Sequence, residues 1–315
     1  MKFIPDFSNV EQAHQIVEKY AHRTLVLTSS SINSITEANV YFKCENFQKV
    51  GAFKFRGACN AVFSLTEDEA QKGVATHSSG NHAAALALAA RIRNIQAHIV
   101  MPRTSPEIKK KAVAGYGAKI TFCDPSLRAR ESTLAEVVRE TGATEIHPYN
   151  NFYVIAGQGT AAKELIEEVG KLDIIMAPVG GGGLISGTAI SAKHLLPGCQ
   201  VIAAEPAGAD DAFRSFHSRA LIPSENPKTI ADGLLTSLGE RNFTIILEKV
   251  DDIVTVSEKT IVEGMRLIWE RMKIIIEPSS AVPLAAILEG KVDVKHKNVG
   301  IILSGGNLDL GNLPF

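Results

Sequence analysis

The sequence predicts an α/β protein built on parallel sheets, and three observations carry that reading. Apolar, strand-like runs alternate with helical stretches almost from end to end. Several of those runs, such as Ile174–Pro178 and Val299–Leu303, are apolar at every position, as strands covered on both faces are. No internal repeat and no low-complexity linker breaks the alternation. Taken in chain order, the predicted strands are Asn39–Lys43, Gly73–Thr76, Ala97–Met101, Lys119–Phe122, Glu145–His147, Ile174–Pro178, Val201–Glu205, Ile253–Val256 and Val299–Leu303. Helical periodicity fills the gaps. Asn81–Arg93 has Ala-rich faces, and Gly159–Val169 sets Ala161, Leu165 and Ile166 against Lys163, Glu167 and Glu168.

Composition bounds the function. The 315 residues carry 33 Lys plus Arg against 34 Asp plus Glu, a balance that argues against a nucleic-acid partner, which selects a basic surplus. No apolar run approaches the ~20 residues of a membrane span. The opening segment through Asp6 lacks the apolar stretch of a signal peptide. Cys44, Cys59, Cys123 and Cys199 are scattered with no CxxC pair, so neither a zinc site nor a disulfide framework is expected, and a reducing cytoplasm is.

Three polar, glycine-containing loops each follow an apolar strand, and in a parallel sheet the carboxyl ends of strands line the ligand crevice. Gly180-Gly181-Gly182-Gly183 opens a helix. Consecutive glycines let backbone N–H groups converge on an anion, and the helix N-terminus adds about half a positive charge. A plain strand-to-helix turn rarely needs four glycines. The cluster lacks the GxGxxG spacing and the later acidic residue of a dinucleotide site, and no GK[ST] follows, so one phosphate of a small cofactor suits it. Thr76-His77-Ser78-Ser79-Gly80-Asn81-His82 holds more polar groups than one helix cap requires. Leu303-Ser304-Gly305-Gly306-Asn307 ends the last strand.

Lys54 lies between Phe53 and Phe55. Most lysines are solvated surface charges, and taken alone this one reads the same way. A desolvated lysine, however, has a depressed pKa and attacks carbonyls. Lysine, a single-phosphate cradle and a polar loop for a ring nitrogen together make up the requirement list of pyridoxal 5′-phosphate.

These segments, with Ala156-Gly157-Gln158-Gly159-Thr160, Ile230-Ala231-Asp232-Gly233 and Ile276-Glu277-Pro278-Ser279-Ser280-Ala281, occur in an order that resembles the fold-type II pyridoxal-phosphate serine/threonine dehydratase family, most of all its serine racemases and threo-3-hydroxyaspartate dehydratases. The resemblance implies a tryptophan synthase β-like architecture: a large cofactor-binding domain of 1–72 and 151–315, with a smaller substrate-closing α/β domain inserted at 73–150. It implies that Lys54 carries the cofactor aldehyde as a Schiff base and takes the substrate α-proton, with Ser79 as acid/base on the opposite face. Phe53, Asn81, Gly180, Gly181, Gly182, Gly183, Gly233, Glu277, Ser304 and Gly305 would hold the cofactor, Ser304 facing the ring nitrogen. Ser78, Ser79, Asn81 and His82 would bind the substrate carboxylate, and Arg130 a second one. Glu205, the carbonyl of Ala209 and Asp211 match a divalent-cation site for Mg²⁺, Ca²⁺ or Mn²⁺; without the resemblance these acids read as solvated helix-start residues. The implied function is a dehydratase converting serine, threonine or 3-hydroxyaspartate to an oxo acid and ammonia, with serine racemase side activity, in a homodimer. The alternatives are a primary serine or aspartate racemase, a non-catalytic sensor, which would be expected to lose Lys54 or Ser79, and a nicotinamide-dependent oxidoreductase.

Overall fold

The computed structural model describes residues 4–78, 80–105 and 107–315, with the backbone alone at residue 108. Among the described residues, ten strands form two sheets: β1 (Val26–Leu27), β2 (Asn39–Cys44), β3 (Val74–His77), β4 (Ala97–Pro102), β5 (Lys119–Cys123), β6 (Thr144–Glu145), β7 (Ile174–Pro178), β8 (Gln200–Pro206), β9 (Asp252–Val256) and β10 (Asn298–Leu303). The larger sheet has the order β1-β2-β10-β7-β8-β9 and the smaller β5-β4-β3-β6. Every strand pair is parallel except β1 with β2. Helices cover both faces of the larger sheet, one cluster gathering Phe42, Met176, Ile261 and Leu284, the other Leu165, Ile175, Ile185 and Ile246. That double coverage is why β7 is buried at all five positions, as the uninterrupted apolar runs require. Among the described residues, no helix is long and apolar enough to cross a membrane.

Two departures from the predicted elements have local causes. The helix expected over Gly159–Val169 begins seven residues earlier and spans Phe152–Val169, where the Asn151 side chain caps it by accepting the Val154 N–H. Its glycines are there for packing. A Cβ on Gly157 would lie 2.7 Å from the Arg56 carbonyl, and one on Gly159 would lie 2.9 Å from the Gly187 carbonyl. The strand expected at Glu145–His147 stops at Glu145 because the His147 ring turns back, its Nδ1 accepting the N–H groups of Tyr149 and Asn150 at 3.3 and 2.9 Å.

Beneath the helix Lys54–Phe63 lies a buried, charge-balanced network. The Arg56 guanidinium donates to both Glu45 oxygens at 2.7 and 2.8 Å and to both Glu164 oxygens at 2.8 and 2.7 Å. Lys43 donates to Glu164 at 2.7 Å and to the Thr24 carbonyl at 2.8 Å. Burial alone would raise the Glu164 pKa, but Arg56 and Lys43 hold it down at about 2. Removing one partner leaves an uncompensated charge in the core, which costs about 3–5 kcal/mol, whereas an exposed pair such as Lys295–Glu37 contributes ~0–1 kcal/mol. Glu164→Gln should therefore lower the urea midpoint sharply and Glu37→Gln hardly at all. Equal midpoints for the two variants would contradict this account of the network.

Candidate active site

The segment before Lys54 is pinned to the end of β10. Phe53 N–H donates to the Ser304 carbonyl at 2.9 Å, Gly306 N–H to the Gly51 carbonyl at 2.9 Å, and Ala52 bridges Gly305. Lys54, at the first position of its helix, is thereby set beside Ser304. The turn is tight: Val50 and Gly51 have φ of 58° and 68°, the left-handed region that a β-branched residue rarely occupies. The Asn307 side chain braces it by donating to the Val50 carbonyl at 2.7 Å.

The Lys54 ammonium donates to the Pro148 carbonyl at 2.9 Å and lies 5.1 Å from the Phe53 ring centroid and 5.9 Å from that of Tyr149. Burial pulls its pKa down to about 8, with only partial opposition from the Glu277 carboxylate. The imidazoles around it are kept neutral. Burial, with the Lys54 charge, holds His82 near 3. Burial, with His77 and Lys54, holds His147 near 4. His82 Nε2 donates to the Ile146 carbonyl at 3.1 Å, and its Nδ1 is buried without a partner among the described residues.

The glycine loop has the character of an anion cradle. Gly180, Gly181, Gly182 and Gly183 are all buried, yet none of their N–H groups donates to an acceptor among the described residues. More than nine in ten buried backbone N–H groups are paired, so four adjacent unpaired donors mark a site for an external anion. Side chains are barred there. A Cβ on Gly181 would lie 2.3 Å from the Tyr149 ring and one on Gly182 2.7 Å from Asn242, whose amide donates to the Gly181 carbonyl at 2.6 Å. Tyr149 thus spans from the glycine loop to Lys54.

A third group closes the site from the smaller sheet. Asn81 Nδ2 donates to both Glu277 oxygens at 3.1 Å, Asn307 N–H donates to the same carboxylate at 3.2 Å, and Asn307 Nδ2 donates to Asn81 Oδ1 at 3.0 Å. Burial pushes the Glu277 pKa up to about 7. Gly305 and Gly233 leave room: a Cβ on Gly305 would lie 2.9 Å from Glu277, and one on Gly233 2.9 Å from Ser279 Oγ. Ser304 is buried against Ser280, their hydroxyl oxygens 3.1 Å apart. Asn81, Gly80, Asn307 and the Lys109–Asp232 ion pair line a cavity of about 830 Å³.

Most of the expected residues therefore gather around Lys54. Ser79 lies outside the described residues, and Ser78 precedes it at the end of β3. Arg130, on the helix Leu127–Thr141, stands further out. Its charge acts on His77, one residue before Ser78, and its Nε is buried without a partner among the described residues. Glu205, Ala209 and Asp211 form a separate group at the end of β8. Glu205 accepts the N–H groups of Ala212 and Phe213, while Asp211 accepts that of Leu238 and leaves Oδ1 unpartnered. Burial, with the neighbouring carboxylates, raises Glu205 to about 9, and burial raises Asp211 to about 6. Among the described residues no three His, Cys, Asp or Glu side chains gather for a metal. Sequence reasoning did not single out Tyr149, His147, Asn242 and Asn307 as site residues. The signal available was position, since His147 and Tyr149 follow a strand end and Asn307 sits in a glycine loop already marked.

The family model described as pyridoxal-phosphate dependent enzyme matches residues 17–305. The chain belongs to that family. The β-hydroxyaspartate dehydratase of Paracoccus denitrificans is 51% identical over 313 residues, covering 99% of each chain. The serine racemase of Dictyostelium discoideum is 52% identical over 310 residues, covering 97% of this chain and 95% of the relative; its crystal structure superposes with a TM-score of 0.94 over 97% of this chain and 99% of that one. The L-threo-3-hydroxyaspartate ammonia-lyase of Saccharomyces cerevisiae is 48% identical over 308 residues, covering 98% of this chain and 94% of the relative. The unpaired glycine donors and a lysine of lowered pKa suit the phosphate and the aldehyde of that family's cofactor. With a pKa of about 8, roughly a tenth of Lys54 is free amine at neutral pH, far more than for an ordinary lysine. Competitive acylation of the cofactor-free protein, followed by peptide mass, should give Lys54 a labelling midpoint near pH 8. A midpoint above pH 10, where the surface lysines titrate, would contradict its desolvation.

Proposed function

We propose that the protein is a pyridoxal-phosphate-dependent dehydratase that converts a β-hydroxy amino acid, with 3-hydroxyaspartate foremost and serine and threonine as further substrates, to an oxo acid and ammonia. The observation that carries this reading is the Lys54 amine, desolvated and held between the anion cradle and Ser304. Gly180 to Gly183 would hold the phosphate, Phe53 the ring face, Asn81 with Glu277 the ring oxygen, Gly233 and Gly305 would leave the ring space, and Ser304 would meet the ring nitrogen. Bound there, the cofactor supplies an electron sink at the substrate α-carbon.

The chain's own residues do the rest. Asn81 and His82, at the start of the helix Asn81–Arg93, bind the substrate carboxylate together with Ser78 and Ser79, through hydroxyl and backbone donors. Lys54 Nζ takes the α-proton on one face. The β-hydroxyl leaves as water by taking up the proton that Lys54 Nζ removed from the α-carbon, and the released enamine hydrolyses to the oxo acid and ammonia. Ser79 on the opposite face returns a proton to the α-carbon, which is the route to racemisation; such acid–base steps contribute about 10²–10⁴-fold each. The neutral imidazoles of His82 and His147 add no cation to compete for the substrate carboxylate. A second reading, a primary serine racemase, is favoured by the similarity to the Dictyostelium discoideum enzyme.

Further proposals attach to the same reading. Segment 73–150 closes over the substrate, and the enzyme works as a homodimer. Glu205, the Ala209 carbonyl and Asp211 bind Mg²⁺ or a similar hard cation in a structural role, for which the unpartnered Asp211 Oδ1 is the fitting feature. The four cysteines are free and buried, in keeping with a cytoplasmic enzyme. Arg130, whose Nε has no partner among the described residues, pairs with the distal carboxylate of 3-hydroxyaspartate.

A substrate panel tests the reading: both enantiomers of serine, threonine and threo-3-hydroxyaspartate, followed for oxo acid and for chirality, in wild type and Arg130→Ala. A charge-assisted hydrogen bond is worth ~1.5–3 kcal/mol, so kcat/KM for hydroxyaspartate should fall about 10- to 150-fold while serine stays within a few-fold. Equal losses on both substrates would remove the pairing. Racemisation outrunning oxo acid release on every substrate would favour the second reading.

A further inference from the structure

The side-chain amide of Asn242 holds the glycine loop by one carbonyl. Asn242 is fully buried in the first turn of the helix Glu240–Lys249. Its Nδ2 donates to the Gly181 carbonyl at 2.6 Å and to the Tyr149 carbonyl at 3.1 Å. Both partners can only accept, so only the NH₂ end of the amide can face them, and both of its protons are spent there. The Gly239 N–H, at the cap of the same helix, reaches the same Gly181 carbonyl at 3.1 Å.

The consequence lies across the peptide bond. A trans peptide is planar, and its C=O and N–H point in opposite directions. No peptide bond among the described residues is cis. With the Gly181 carbonyl drawn to Asn242, the Gly182 N–H therefore points away from Asn242, and it is one of the four loop donors without an acceptor among the described residues. If this peptide turned over, the carbonyl oxygen would face the bound anion, and the N–H would face an amide end that has only protons to offer. Nothing inside the loop forbids that turn. Gly181 and Gly182 have no Cβ, and Gly182 already sits at a φ of 90°, so the backbone there is permissive. The direction of the N–H is imposed from outside the loop.

We propose that Asn242 is a positioning residue that aims the Gly182 N–H into the anion cradle and so sets the affinity of the protein for the cofactor phosphate. This rests on the reading of Gly180 to Gly183 as the phosphate site. The same amide ties that site to the lysine, because Tyr149 directly follows Pro148, whose carbonyl accepts the Lys54 ammonium at 2.9 Å. The Asn150 side chain adds a second tie to the helix start by accepting the Arg241 N–H at 3.0 Å. The first turn of one helix thus fixes the anion donors and the acceptor that holds Lys54 in a single frame. A cofactor held by its phosphate is then presented to Lys54 at its aldehyde.

The test compares dissociation constants for pyridoxal phosphate and for pyridoxal, which lacks the phosphate, on the full chain as wild type, Asn242→Ala and the near-isosteric Asn242→Leu. Wild type should prefer the phosphorylated form. Both variants should bind pyridoxal phosphate about 10- to 100-fold more weakly, the worth of one charge-assisted hydrogen bond, while pyridoxal stays within a few-fold. An unchanged affinity for pyridoxal phosphate, or an equal loss for both compounds, overturns the inference and leaves the phosphate site standing. A wild type that binds the two compounds alike overturns the phosphate site and the inference together. Should both variants fold poorly, wild type decides alone. In protein labelled with ¹⁵N-glycine, the Gly182 amide proton should move downfield when pyridoxal phosphate binds, and a resonance that stays in place overturns the inference.

Discussion

The site depends on where the chain is forced to put Lys54, and that is decided by Arg56 two residues further on. A guanidinium with no exposure satisfies two carboxylates at once, Glu45 from the turn after β2 and Glu164 from the helix Phe152–Val169, while Lys43 balances the charge. No net charge is left buried, and every member has partners from at least two elements. Such a network is satisfied in one arrangement only, because any slip of the Lys54 helix against β2 or the long helix strands an ion in a medium where its desolvation is expensive. The same slip would separate Phe53 from Ser304 and release the Val50–Gly51 turn from Asn307.

From that fixed point the chemistry follows by exclusion. Around Lys54 the protein supplies aromatic rings and neutral imidazoles, and burial among them lowers the lysine pKa. It supplies unpaired backbone donors at Gly180 to Gly183, which attract an anion without a side-chain cation that would also attract the substrate. It supplies Ser280 and Ser304 as a buried hydroxyl pair. The site separates its tasks by location: anion binding at one strand end, proton transfer at the lysine, polarity toward a ring at a third.

Much of this was legible in the sequence, for physical reasons. Strands buried on both faces have no choice but to read as unbroken apolar runs, so β7 and β10 were marked closely. Four glycines in a row have few uses, and Lys54 stood between aromatic rings in the one segment where a lysine made chemical sense. The hidden parts were long-range. Nothing local says that Glu45 and Glu164, 119 positions apart (164 − 45 = 119), share one arginine. The predicted helix began only at Gly159, and the contacts of Gly157 with Arg56 and Gly57 and of Gly159 with Gly187 explain why glycines stand inside the longer helix. Periodicity does not show that β3 belongs to a different sheet from β7 and β10, so that the three marked loops meet across two sheets rather than along one; only the family resemblance set 73–150 apart. Tyr149 was missed because its value lies in reaching Gly181, which no spacing rule reveals.

The central claim is that Lys54 is the residue that holds the cofactor. Reducing the protein with borohydride in the presence of pyridoxal phosphate and mapping the modified peptide by mass tests it most directly. The account predicts a single stoichiometric adduct on Lys54, lost in Lys54→Ala. An adduct on another lysine, or full loading of Lys54→Ala, would contradict it.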